Sequence, residues 1–404
     1  MTRPAFKRPV DPEEPRVMSG EIWDEVLASF QRIRRDVVLA DDVPADAQMR
    51  AEGMRFLGRF LQGGLLLCTE LADPDYPELG RMYDTTLSWG IDNPDTIYLY
   101  SALRGDATYR IHGNAGSAHH FDVQVQRGHF AEAPDFGIVS TANGNELEIA
   151  ADGSFELLLS ANEQAGNWLP LEPDAEWLLI RQYFYDWESE RPADLVIERV
   201  DATYPPPPLT TDRVAARLDK LQTWFDKSGR YWDEMARFSM ERTPNEIFFR
   251  SPEESEWGGL RGLAYGFGNF RCEHDEAVII EIEPPPCHYW SFSLGNWYWE
   301  TIGWTNRQSS INGHQARLDP DGIFRAVIAH EDPGLVNWLD PAGNTVGTVM
   351  GRYLLTQSTP VPVSRVVKFD ELEAILPDSP RVDRAQRNAL LRARERAAHR
   401  RNRS

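Results

Sequence analysis

Two periods divide the chain. Residues 21–35 place Ile22, Val26, Leu27, Phe30 and Ile33 at helical spacing, and residues 45–71 do the same with Met49, Met54, Leu57, Phe60, Leu61 and Leu65. Side chains three and four apart share a helix face, so both stretches predict amphipathic helices. Beyond Trp89 the period falls to two. Residues 96–101, 107–112, 119–126, 154–159 and 177–185 read as strands, with Asn143-Gly144 and Asp152-Gly153 as turns. Pro205 to Pro208 are consecutive prolines, which join neither a helix nor a central strand and predict an extended spacer. A helix capped by Thr211 or Asp212 is expected to run to about Met240, with strand-like sequence from 245 to 368.

The second strand block repeats the first. At an offset of 169, Asp106 falls on Asp275, His119 on His288, and Asp152-Gly153-Ser154-Phe155 on Asp321-Gly322-Ile323-Phe324. Small slips bring Asn167-Trp168-Leu169 onto Asn337-Trp338-Leu339 and Arg181 onto Arg352. Matches in order, with slips only in loops, indicate an internal duplication. The expected fold is mainly β with added helices (α+β): two tandem jelly-roll or β-sandwich-like domains, each preceded by helices. The divisions are a helical segment (1–90), a first β domain (91–203), a Pro-rich linker and helix (204–244), a second β domain (245–370) and an Arg-rich helix or tail (371–404).

Some of these residues resemble known families. Asn93-Pro94-Asp95-Thr96-Ile97-Tyr98 resembles the signature of the bacterial domain-of-unknown-function family 1254. Tyr289-Trp290-Ser291, Ser310-Ile311-Asn312, Asp321-Gly322, Asp332-Pro333-Gly334, Asn337-Trp338-Leu339 and Arg352-Tyr353 are together similar to family 1214, its usual partner. The resemblance implies paired jelly-roll-like β domains and little about chemistry.

Charge and cysteines narrow the partners. The formal charge is −21, yet residues 381–404 carry nine Arg against Asp383 and Glu395. So acidic a body repels nucleic acid and anionic membranes, and neither is an expected partner. The Arg-rich end reads as a solvated helix opened by Ser379-Pro380, or as a segment that docks on an acidic surface. A homo-oligomer is left open. The first twenty residues lack the apolar stretch of a signal peptide, and Cys68, Cys272 and Cys287 suit a reducing compartment, so the cytoplasm is expected.

Candidate chemistry concentrates in the second β domain. In residues 119–126 the odd positions Phe121, Val123 and Val125 are apolar and the even ones polar, which places His119 inward and His120 outward. His288 likewise shares a face with Trp290, Phe292 and Leu294. One histidine per domain is thus expected to point inward at a barrel mouth, where ligands enter. The plainer alternative is a buried histidine bonded to backbone. Trp297, Tyr298, Trp299 and Trp304 supply flat aromatic faces and suit a ring-shaped ligand or a packed corner; the equivalent stretch of the first copy, around Arg127 to Gly137, has no tryptophan.

The leading expectation is a hydrolase or lyase acting on an apolar or aromatic small molecule. Trp297, Tyr298, Trp299 and Trp304 would bind substrate, His288 or His314 would move protons, and Arg352 would orient a carboxylate or carbonyl. No organic cofactor is expected, because P-loop, G-x-G-x-x-G and G-x-S-x-G motifs are missing. The metal question stays open: His288, His314 and His330 with Glu331 and Asp332, or Cys272-x-His274 with Cys287-His288, match no standard ligand spacing. Rival readings are a non-catalytic binding protein for a glycan or hydrophobic ligand, and a structural or assembly protein.

Overall fold

The computed structural model describes residues 12–129, 131–132, 135–252 and 259–403. Its first elements are helices α1 (Glu14–Ser19), α2 (Glu21–Ile33) and α3 (Ala47–Leu65). The expected stripe of α2 buries Ile22, Val26 and Ile33, while Leu27 stays in solvent. Asp46 caps α3 by accepting from the Met49 N–H at 2.9 Å. Phe56, Leu57 and Phe60 of α3 face the core, and Met54 does not. Close approach needs glycine at two of its positions. A Cβ on Gly53 would meet the Tyr298 hydroxyl at 2.5 Å, and one on Gly63 the Trp89 ring at 2.5 Å. Helices α4 (Thr211–Thr223) and α5 (Gly229–Met240), joined by a π turn, complete this layer. The side chains of Thr211 and Asp212 do not precede α4 as caps, because Thr211 is already its first residue.

The described residues hold eighteen strands, nine before α4 and nine after α5. The first set is β1 (Gly80–Tyr83), β2 (Thr96–Ala102), β3 (Tyr109–Asn114), β4 (His120–Arg127), β5 (Gly137–Asn143), β6 (Ser154–Ser160), β7 (Trp168–Pro170), β8 (Trp177–Tyr183) and β9 (Asp194–Arg199). The second is β10 (Ile247–Arg250), β11 (Leu263–Arg271), β12 (Glu276–Ile282), β13 (Tyr289–Gly295), β14 (Ser310–Asn312), β15 (Phe324–Ala329), β16 (Trp338–Leu339), β17 (Val346–Leu354) and β18 (Val363–Lys368). One five-stranded sheet runs β1-β2-β8-β4-β5 and its counterpart β10-β11-β17-β13-β14. The four-stranded sheets run β7-β6-β3-β9 and β16-β15-β12-β18. Adding nine to each strand number converts one domain into the other, so the duplication extends to topology. The aligned turns share geometry too, with Gly153 and Gly322 both at φ 84°, a conformation glycine adopts without strain.

Each domain is a sandwich of its two sheets and not a closed barrel. Val123, Val125, Ile180, Ile111 and Leu157 fill the first, and Phe292, Leu294, Val278, Ile280 and Ile328 fill the second. The parity read along β4 puts Phe121, Val123 and Val125 in the core, as expected. The other face does not meet solvent: His120, Asp122, Gln124 and Gln126 are all at most 6% exposed. The two five-stranded sheets approach each other on these faces, through Tyr183, Leu263, Tyr289 and Leu354.

The Arg-rich end forms helix α6 (Arg384–Asn402), opened by an Asp383–Gln386 capping box. It is docked and not solvated along its length. Arg387, Arg394 and Arg401, seven residues apart, face inward. Arg387 pairs with Asp332 at 3.0 Å. Arg394 donates to the Trp304 carbonyl at 2.6 Å, and Arg401 to that of Pro94. The guanidinium groups of Arg394 and Arg401 each lie 4.4 Å from the centre of the Trp187 ring. The helix thus spans both sandwiches.

Candidate functional site

The histidines and aromatics singled out from sequence do not form one site. His119 and His288 stack on each other at the domain junction, ring centroids 4.2 Å apart. Each donates Nε2–H to the other's carbonyl, at 2.7 and 3.0 Å. They meet between the domains and do not point into separate interiors. His120 lies beside them, its pKa pushed down to about 4 by burial and by the two neighbouring histidines. His314 is exposed, 3.8 Å from Asp186 at the α6 side. His330 donates to the Cys272 carbonyl at 2.9 Å and packs on His274. Among the described residues, no three His, Cys, Asp or Glu side chains converge as a metal would need.

The Trp-rich segment divides its side chains among three neighbours. Asn296 Oδ1 accepts from the backbone N–H groups of Tyr298 and Glu300, both at 3.0 Å, and curls the chain. Tyr298 then stacks on Phe56 of the helical layer and donates to the Met49 carbonyl. Trp297 is half-buried against the same core. Trp304 packs edge-on against Trp187 beneath α6. Only Trp299 of the four reaches the cavity at the domain junction.

That cavity, about 140 Å³, lies between the two five-stranded sheets and the helical layer. Met82, Leu179, Trp232, Met235, Phe267, Trp299 and Met350 give it an apolar wall. Tyr98, Arg181 and Tyr183 enter from the first domain, and Arg250, Tyr265 and Arg352 from the second. The contributions are paired by the duplication. Tyr98 lies opposite Arg181 across β2 and β8, as Tyr265 lies opposite Arg352 across β11 and β17. Sequence comparison aligned Arg181 with Arg352 but gave no sign that both line one space. Tyr98, Tyr265 and Asp92 were not singled out as site residues.

Polar groups in the wall are held firmly. Arg352 is 4% exposed and donates to Ser293 Oγ at 3.0 Å and to the Ile91 carbonyl at 2.6 Å. Arg181 donates to Gln124 and lies 3.4 Å from Asp122. Burial pushes the Asp122 carboxyl up to about 7, against the pull of Arg181. Burial likewise raises Asp92 to about 6, opposed by the Ser88 hydrogen bond and by Arg59. Ile91 (φ 46°) and Trp299 (φ 57°) adopt left-handed backbone and are hydrogen-bonded to each other, Ile91 N–H to Trp299 O at 2.6 Å. Such strain in a β-branched and a bulky residue persists only when surroundings enforce it, and it gathers at ligand sites.

Comparisons with known proteins follow this architecture. A crystal structure of an uncharacterized protein from Burkholderia cenocepacia matches with a TM-score of 0.83 and 32% identity, over 89% of this chain and 99% of that one. The chain belongs to that protein's family. The family described as a protein of unknown function, DUF1214, matches residues 100–185, within the first sandwich. The resemblance read from sequence lay in the second copy, which has the same strand order; the 1254-like stretch, residues 93–98, falls outside the match. The VPA0106 protein of Vibrio parahaemolyticus aligns at 13% identity over 78% of this chain and 97% of that one, with a TM-score of 0.44. No curated protein matches the chain.

Proposed function

We propose that this protein is an enzyme, a hydrolase or lyase, acting on an apolar or aromatic small molecule without an organic cofactor, and that the junction cavity is its site. The observation that carries this reading is the convergence of equivalent residues from both copies on one apolar space beside two strained residues. A volume of about 140 Å³ is close to the ~150 Å³ engineered cavity that admits benzene. The expected site in the second domain alone gives way to one shared by both domains.

Roles follow from position. Trp299, with Trp232 and Phe267, packs the ring, and Arg352 orients an anionic or carbonyl oxygen. Asp92 is the group to move a proton, since a carboxyl held near 6 by burial exchanges protons close to neutral pH. His288 and His314 lie outside the cavity lining. The free cysteines support a cytoplasmic setting. No described helix is long and apolar enough to cross a membrane.

A non-catalytic binding protein is the second reading, favoured by the lack of any Cys, Ser or His among the described lining residues. Tryptophan fluorescence titrated with small aromatic compounds tests the site, and release of product from the same compounds tests turnover. If no such compound shifts the emission of wild type, both readings of the cavity fall. Saturable binding without turnover leaves the binding protein.

A further inference from the structure

The duplication makes the two cavity arginines comparable, and they differ in one respect. In the first copy Asp122 stands opposite Arg181 across β4 and β8. In the second copy the residue opposite Arg352 across β13 and β17 is Ser291. Arg181 therefore has a carboxylate at 3.4 Å and the Gln124 oxygen besides. Arg352 has only two neutral acceptors, Ser293 Oγ and the Ile91 carbonyl. Among the described residues, no carboxylate lies within the 4.0 Å that would make an ion pair with it.

A buried guanidinium without an anion is costly, and removing one partner of such a pair leaves a charge that only another anion offsets. Arg352 is as buried as Arg181, at 4% against 6% exposed. Two hydrogen bonds occupy part of its five-donor fork, whose geometry matches a carboxylate. One other group of the cavity wall is also left open: Trp299 Nε1 is buried with no hydrogen-bond partner. The vacancy is for one negative charge: Asp122 faces Arg181, and Asp92, which Arg352 influences electrostatically, makes no ion pair with it. The apolar wall and the cavity volume leave room for about one ring.

We infer that the junction cavity takes a planar aromatic monocarboxylate, its carboxylate bound to Arg352 in the position that Asp122 fills for Arg181. This rests on the reading of the cavity as a small-molecule site. It adds the charge of the ligand, the residue that recognises it, and the reason the equivalent arginine does not.

The test is calorimetric titration of the full chain, near neutral pH, with benzoate and with benzamide. The two share a ring and nearly a shape, and differ in charge. Benzoate is expected to bind at least ~10-fold tighter, as a charge-assisted hydrogen-bond pair implies. Ser291→Asp restores the missing counter-ion and should remove that preference while benzamide affinity stays put. Arg352→Gln should weaken benzoate far more than benzamide and so shrink the preference, and Ser291→Asp covers the case in which it does not fold. Equal affinity for the two compounds in wild type, or a benzoate preference that survives Ser291→Asp, overturns the inference but leaves the cavity as a ligand site. Failure of both compounds to bind overturns the cavity reading as well.

Discussion

His119 and His288 occupy the same position in two copies of one domain, and they are bonded to each other. Each imidazole donates to the other's backbone carbonyl, which fixes the proton on Nε2 in both. The pair is a fastening between the sandwiches. His288→Ala removes a ring stack and leaves the His119 carbonyl without its donor. It should cost about 1–3 kcal/mol in urea denaturation. His119→Ala should cost a similar amount, and the double variant less than the sum. Full stability combined with lost turnover would instead make His288 a catalytic group.

Ligand affinity should depend on the charge of Asp92. Its carboxyl is raised to about 6, first by burial, with Ser88, Arg59, Thr301 and Arg352 opposing; Tyr83 is the other titratable group beside it. Above that pH the carboxylate repels an anion near Arg352, so benzoate should bind more tightly as pH falls through about 6. Stability varies with pH in the same direction. A carboxyl raised in the folded state favours folding below its unfolded pKa, and that contribution is lost as pH rises through about 6. Asp92→Asn should flatten the affinity profile and make the stability profile shallower, with Asp122, raised to about 7, still contributing to the latter. A pH-independent benzoate affinity in wild type would remove Asp92 from the site.

Trp299 offers an inverted substitution series. Trp299→Ala opens a cavity and should cost about 3–5 kcal/mol. Glycine usually costs more than alanine, but here φ is 57°, where glycine is unstrained. Trp299→Gly should therefore be as stable as Trp299→Ala or more so by thermal unfolding. The usual order, with alanine clearly better, would show that the left-handed backbone relaxes once the ring is gone.

The C-terminal helix should resist salt. Exposed ion pairs weaken in concentrated salt, but Arg394 and Arg401 are held by backbone carbonyls and the Trp187 face. Burial lowers their pKa values to about 10 and about 9, which leaves both charged at neutral pH. Concentrated sodium chloride should barely move the melting temperature, whereas Arg401→Ala should lower it by several degrees, consistent with a loss of about 2 kcal/mol. Release of the helix by salt alone, followed by hydrogen exchange in residues 384–402, would contradict this.

The duplication was legible because Asp-Gly turns, strand-end histidines and the Arg181–Arg352 pair recur in order. The junction was not. Parity assigns His120, Asp122, Gln124 and Gln126 to the face away from the core, but it cannot say what covers that face. Polar residues there read as solvent-facing, and the second sandwich and helical layer bury them instead. The same gap explains the Trp-rich segment. Its composition announced buried aromatics, but Tyr298, Trp299 and Trp304 go to partners more than a hundred residues away or to a different layer. In the tail, the Arg387, Arg394, Arg401 spacing was a readable sign of a docked face, hidden by a charge run that reads as solvated.

A pocket shared by two copies of one domain has a particular evolutionary freedom. Each wall is encoded by a different stretch of the chain, so one can be rewritten while the other preserves the frame. Asp122 in one copy against Ser291 in the other is one such difference. A single-copy ancestor pairing with itself could change neither wall without changing both.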